Sequence, residues 1–119
     1  MRPAENFRRQ NDVRLILDEC LPRKLKSALP GHDVITVPEA GLAGFKNGEL
    51  LAQIAGTVDA FITIDGSLPS QQSLSGRLFG VIVIRAASNR LNDLLPLAPR
   101  ILLALEDLKS GEVVWVGAD

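Results

Sequence analysis

Five short aliphatic runs constrain this chain more than any other feature: VRLIL, DVITV, DAFITI, GVIVI and EVVWV. None alternates polar with apolar residues, as a sheet with one wet face would require. Continuous runs of Val, Ile and Leu belong to strands buried on both faces. The segments between them carry apolar residues at helical spacing. Strands alternating with helices build a parallel sheet with right-handed crossovers. The expected fold is a three-layer α/β/α domain around a central, mainly parallel sheet of about five strands.

The element boundaries follow from local chemistry. Val13–Leu17 is the first strand. Pro22–Leu29 reads as a short helix, with Pro22 in its first turn and Leu25, Ala28 and Leu29 on one face. Pro30-Gly31 ends it, and Asp33–Val37 is the second strand. Pro38–Lys46 is a glycine-rich loop. Asn47 suits an N-cap, with Glu49 in the first helical turn and Leu50, Leu51, Ile54 and Ala55 inward. Asp59–Ile64 is the third strand. Ser67–Leu78 is polar, with room for one or two helical turns. Gly80–Ile84 is the fourth strand. Asn92–Lys109 reads as one long helix, with Pro96 and Pro99 crowding its start. Its stripe is Leu94, Ala98, Ile101, Leu105 and Leu108. Gly111 stops it, and Glu112–Val116 is the fifth strand.

A chain of 119 residues suggests one domain, here residues 13–119 behind a flexible arm at 1–12. The three arginines of that arm read as part of a solvated tail. The net charge of −1 supplies no global field for nucleic acid, so any such contact must be local. The single cysteine, Cys20, rules out an internal disulfide and a cysteine zinc site, and fits a reducing cytoplasm. No apolar run reaches the roughly 18 residues of a membrane span. The opening MRPAENFRRQND lacks the apolar core of a signal peptide.

Ligands of open parallel sheets bind outside the carboxyl ends of the strands. Here those ends carry charge. The first strand runs into Asp18-Glu19, the second nears Glu39, the third runs into Asp65, and the fourth meets Arg85 and then Ser88–Arg90. If the first and third strands are neighbours, Asp18 and Asp65 converge. Like charges that close repel, and a divalent cation relieves the conflict. Mg²⁺ takes a few carboxylates and keeps several waters, so Glu19, Glu39 or Glu49 could complete the shell. Such an ion suits phosphoryl chemistry. The plainer reading is that each acid caps the helix after its strand.

The stretches LILDECLP, PGHDVITVPEAGLAG, KNGELL and FITIDGSLP, in that order, resemble the small PIN-like proteins, which look like shortened relatives of PIN-domain ribonucleases. The resemblance covers roughly residues 13–116. It implies a Mg²⁺- or Mn²⁺-dependent ribonuclease acting on single-stranded RNA, in a toxin–antitoxin-like setting with a cognate antitoxin. It implies Asp18, Glu49 and Asp65 as catalytic acids, and Asp18, Glu19, Glu49 and Asp65 as metal ligands. Many relatives carry a further acid two residues after the third-strand Asp. Here that position is Ser67, which adds no charge, so metal affinity should be lower.

Ser67, Gln71, Arg85 and Arg90 are candidates for gripping a strand through hydrogen bonds and phosphate contacts, with Arg77 nearby. Lys46, beside Asn47, is a weaker phosphate candidate. With four Phe and one Trp in the chain, and none beside these arginines in sequence, a stacking platform is not expected. Trp115 reads as core or edge packing; if exposed, it would mark a dimer or partner surface. His32 reads as a structural turn residue and Cys20 as a half-buried thiol. Two other functions compete: a catalytically silent PIN-like module for partner binding or homodimerisation, and a receiver-like phospho-acceptor domain centred on Asp65. The second lacks a lysine after the fifth strand.

Overall fold

The computed structural model describes residues 13–45 and 47–117. The expected arm at 1–12 and the candidate Lys46 lie outside them. The elements are β1 (Arg14–Leu17), a 3-10 helix (Arg23–Ala28), β2 (Asp33–Thr36), α1 (Asn47–Ile54), β3 (Ala60–Thr63) and α2 (Leu68–Gln71). There follow β4 (Gly80–Arg85), α3 (Leu91–Leu94), a 3-10 turn (Leu95–Leu97), α4 (Ala98–Asp107) and β5 (Val113–Gly117). The five strands form one all-parallel sheet in the order β2-β1-β3-β4-β5. No described helix is long and apolar enough to cross a membrane.

The aliphatic runs become strands because both their faces are covered. Leu15 and Leu17 point into one core with Ile62, Ile82, Ile84 and Val116. Leu25 and Leu29 close that face, as do Leu94, Leu97, Ile101 and Leu105. Ile16, Phe61, Val81 and Val83 point the other way, toward Leu50, Leu51 and Ile54 of α1 and Leu68 of α2. Burying each such side chain is worth about 1.5–3 kcal/mol, which is why the sheet tolerates so little polarity inside. Two threonines are the exceptions among the described residues: Thr36 of β2 is buried, and Thr63 of β3 is fully so.

Three expectations are corrected. The helix expected over Asn92–Lys109 is instead α3, a tighter turn and α4. Pro96 and Pro99 lack the N–H that an α-helical ladder needs, so the chain tightens locally into a 3-10 turn. Asn47 is the first residue of α1 rather than the residue before it. Its side-chain amide donates to Gln71 Oε1 at 3.3 Å, tying α1 to α2. Finally, the crossovers cannot all share the right hand. The step from β4 to β5 runs in the same direction along the sheet as the two steps before it, but over the opposite face. Its helices join the 3-10 helix on the first face, leaving α1 and α2 to cover the second. Such reversals are rare, and this one shapes the edge described below.

Gly80 shows how tightly the last crossover is seated. A Cβ there would lie 2.7 Å from the Lys109 carbonyl oxygen and closer still to the Leu108 side chain. Only glycine lets the chain leaving α4 pass over the start of β4.

Candidate active site

β1 and β3 are neighbours, with Leu15, Ile16 and Leu17 paired to Ala60, Phe61 and Ile62. Their carboxyl ends therefore deliver Asp18 and Asp65 to the same edge. The chain leaving β1 turns to the first face and the chain leaving β3 to the second. A crevice opens where neighbouring connections diverge in this way.

Thr63 organises this crevice. Its hydroxyl donates to Asp18 Oδ2 at 2.6 Å and accepts the Asp65 backbone N–H at 3.0 Å. The Cys20 thiol donates to the same Asp18 oxygen at 3.5 Å, and the Glu19 N–H donates to Asp18 Oδ1 at 2.7 Å. The Asp18 backbone N–H bonds to the Ile62 carbonyl at 2.9 Å, extending the β1–β3 ladder by one residue. Asp18 is thus held on both oxygens and at its main chain. Thr63 is not among the site residues expected from the sequence. A lone hydroxyl in an aliphatic strand, two residues before an Asp, was the signal available.

Asp65 is held differently. Its Oδ1 accepts both the N–H and the hydroxyl of Ser67, at 3.0 and 2.6 Å. Ser67 therefore serves Asp65 through its hydroxyl and the entry into α2 through its backbone carbonyl, which accepts the Ser70 and Gln71 N–H groups. Asp65 Oδ2 accepts no hydrogen bond from a described residue.

The other candidates sit around this pair. Glu19 is exposed, and its Oε1 accepts the Gly44 N–H at 3.3 Å, tying down the loop after β2. Glu49 is exposed in the first turn of α1 and bonds to no described residue. The Asn47–Gln71 bond sets its helix against the segment that follows Asp65. Gln71 is accordingly engaged within the protein. From the far side, the Asn89 side chain donates to the Cys20 carbonyl at 2.9 Å, so the loop after β4 also reaches the crevice. Arg90 is exposed at the start of α3.

Glu39 belongs to another network. Lys26 Nζ approaches its two carboxylate oxygens at 2.9 and 3.0 Å, Arg23 lies at 3.0 Å, and the Thr36 N–H donates to it at 3.0 Å. Lys26 first, and then the Thr36 N–H, pull its pKa down to about 2. It braces β2 against the 3-10 helix rather than completing a metal shell. His32 is structural, as expected: its Nδ1 accepts the Val13 N–H at 3.0 Å. Burial pushes the Cys20 thiol up; a hydrogen bond with the Ile64 backbone pulls against it, and the negative charge of Asp18 adds a smaller push upward. That leaves Cys20 a poor nucleophile at neutral pH.

Among the described residues no three His, Cys, Asp or Glu side chains gather as a metal cage. What the crevice offers is two anchored carboxylates. Mg²⁺ is commonly held in this way, by one or two carboxylates with waters and substrate phosphate supplying the rest. Fold and crevice define a parallel α/β domain with an acidic site at a topological switch point. Comparison of the chain with protein-family models, curated proteins and solved structures returned no match.

Proposed function

We propose that this domain is a Mg²⁺- or Mn²⁺-dependent ribonuclease of PIN-like type that hydrolyses phosphodiesters of single-stranded RNA. The observation that carries the reading is the joining of Asp18 and Asp65 through Thr63 in the β1–β3 crevice. Asp18 and Asp65 would hold the ion, with the exposed Glu19 and Glu49 on the rim. The ion would supply an activated water and polarise a phosphate oxygen. Thr63 and Ser67 are positioning residues, each fixing one carboxylate. An RNA-cutting domain of this kind fits the toxin role, restrained by an antitoxin. The test is cleavage of an end-labelled single-stranded RNA with Mn²⁺ or with chelator. Metal-dependent cutting by the wild type, lost in a folded Asp65→Asn variant, is expected. Cutting that survives chelation or this substitution overturns the reading.

The silent binding module is the second reading. It is favoured by the small number of gathered acids and by Trp115, which is 46% exposed on edge strand β5. The receiver-like reading has less behind it: β5 runs out at Gly117, followed by Ala118, where a lysine is required.

A further inference from the structure

The reversed last crossover opens a second crevice on the other side of β3. The chain leaving β3 turns to the second face, whereas the chain leaving β4 turns to the first. A cleft of about 1000 Å³ lies at this divergence, lined by Ile64, Gly66, Arg85, Ala86 and Trp115 among others. That is at the upper end of the range for small-molecule clefts, about 300–1,000 Å³.

Its chemistry is specific. Trp115 projects from β5 and is 46% exposed. The Arg85 guanidinium lies over its ring, 5.6 Å from the centroid. The benzo end of the indole rests near Gly66, 3.7–3.9 Å from where a Cβ would stand. Gly66 follows Asp65 directly, so the cleft adjoins the carboxylate with the unclaimed oxygen. Trp115 and Arg85, thirty positions apart in the chain, meet because β4 pairs with β5 at Val83–Trp115 and Arg85–Gly117. The sequence expectation that no aromatic accompanies these arginines is corrected: strand pairing, not sequence proximity, brings them together. Trp115 packs at the sheet edge, one of the two placements expected for it, and its 46% exposure meets the condition set for a partner surface.

We propose that this cleft takes one unpaired nucleobase of a single-stranded RNA, stacked against Trp115, with the adjoining phosphate on Arg85. The inference rests on the ribonuclease reading and names how that site holds its substrate. An indole and a guanidinium are both planar groups on which any base can stack. Arg85 is an exposed cation on a domain without a positive field, so it supplies the local charge that a phosphate requires. Stacking on an aromatic tolerates every base, so the cleft sets position along the strand rather than sequence.

Trp115 is the sole tryptophan and the chain has no tyrosine, so its fluorescence reads the cleft directly. The experiment titrates the protein with a six-nucleotide single-stranded RNA and with the same oligomer abasic throughout, following Trp fluorescence and the anisotropy of a labelled strand. Metal is left out, so no cutting interferes. Saturable quenching by the RNA, absent with the abasic strand, is expected. Trp115→Ala should weaken binding roughly 5- to 150-fold, and Arg85→Lys should weaken it less while keeping the charge. Equal quenching by the abasic strand, or no binding, overturns the proposal. So does a fluorescence change that tracks protein concentration alone, which would assign the face to a second copy of the chain. The two readings fail separately. RNA that is cut with Mn²⁺ but leaves Trp115 unperturbed sinks the cleft and spares the nuclease. Quenching without metal-dependent cutting does the reverse.

Discussion

Replacing Thr63 with Val tests the site's internal wiring. The shape is nearly conserved and one hydroxyl is lost. In the wild type that hydroxyl donates to a carboxylate at 2.6 Å and accepts an amide at 3.0 Å. A hydrogen bond to a charged group contributes about 1.5–3 kcal/mol, and a neutral one about 1 kcal/mol. Asp18 is only partly buried, so water can replace some of what it loses. The expected cost is therefore about 2–3 kcal/mol. For a domain of this size that lowers the melting temperature by roughly 8–12 °C. A double-mutant cycle with Asp18→Ala, which leaves the hydroxyl no side-chain acceptor at that position, isolates the pair. Urea midpoints of the wild type, both single variants and the double variant should give a coupling of at least about 1 kcal/mol. Thr63→Ser keeps the hydroxyl and should retain the coupling. Additive effects, within about 0.5 kcal/mol, would mean that the hydroxyl does not hold Asp18 and that the crevice is not organised as described.

Two further outcomes follow from the ionisable groups. Glu39 has a folded pKa lowered from 4.5 to about 2, so its contribution is present above pH 4.5 and lost as pH falls toward 2. Glu39→Gln should flatten that part of the acid-unfolding curve, and an unchanged curve would mean the Lys26 and Thr36 contacts do not persist in solution. Cys20 should react slowly with iodoacetamide at neutral pH, and Asp18→Asn should accelerate it modestly, since burial outweighs the Asp18 charge in raising the thiol pKa. A large acceleration would reverse that order.

The sheet was legible because the aliphatic runs left no wet face, and the acids were legible because strands deliver residues to a known edge. Asp18 and Asp65 needed only the adjacency of β1 and β3. The reversed β4–β5 crossover was not legible. Which face a helix covers depends on matching two cores, and the stripe of Leu94, Ala98, Ile101 and Leu105 suits either face equally. The choice between core and edge for Trp115 is not legible for the same reason, since a strand residue's burial depends on what lies above it. Thr63 is not legible because a single β-branched hydroxyl looks like an ordinary strand former until its partners are known. Pro96 and Pro99 are plain in the sequence, but whether they start one helix or split it with a 3-10 turn depends on where the hydrogen-bond ladder begins.

Metal binding by the Asp18–Asp65 pair is the central claim, and melting with and without 1 mM Mn²⁺ tests it most directly. A site with a dissociation constant near 0.1 mM would add about 1.4 kcal/mol, or roughly 5 °C. The wild type should gain that shift, and Asp18→Asn and Asp65→Asn should each lose it. Equal shifts in all three proteins, or none in the wild type, would leave the two acids as local caps and contradict the account.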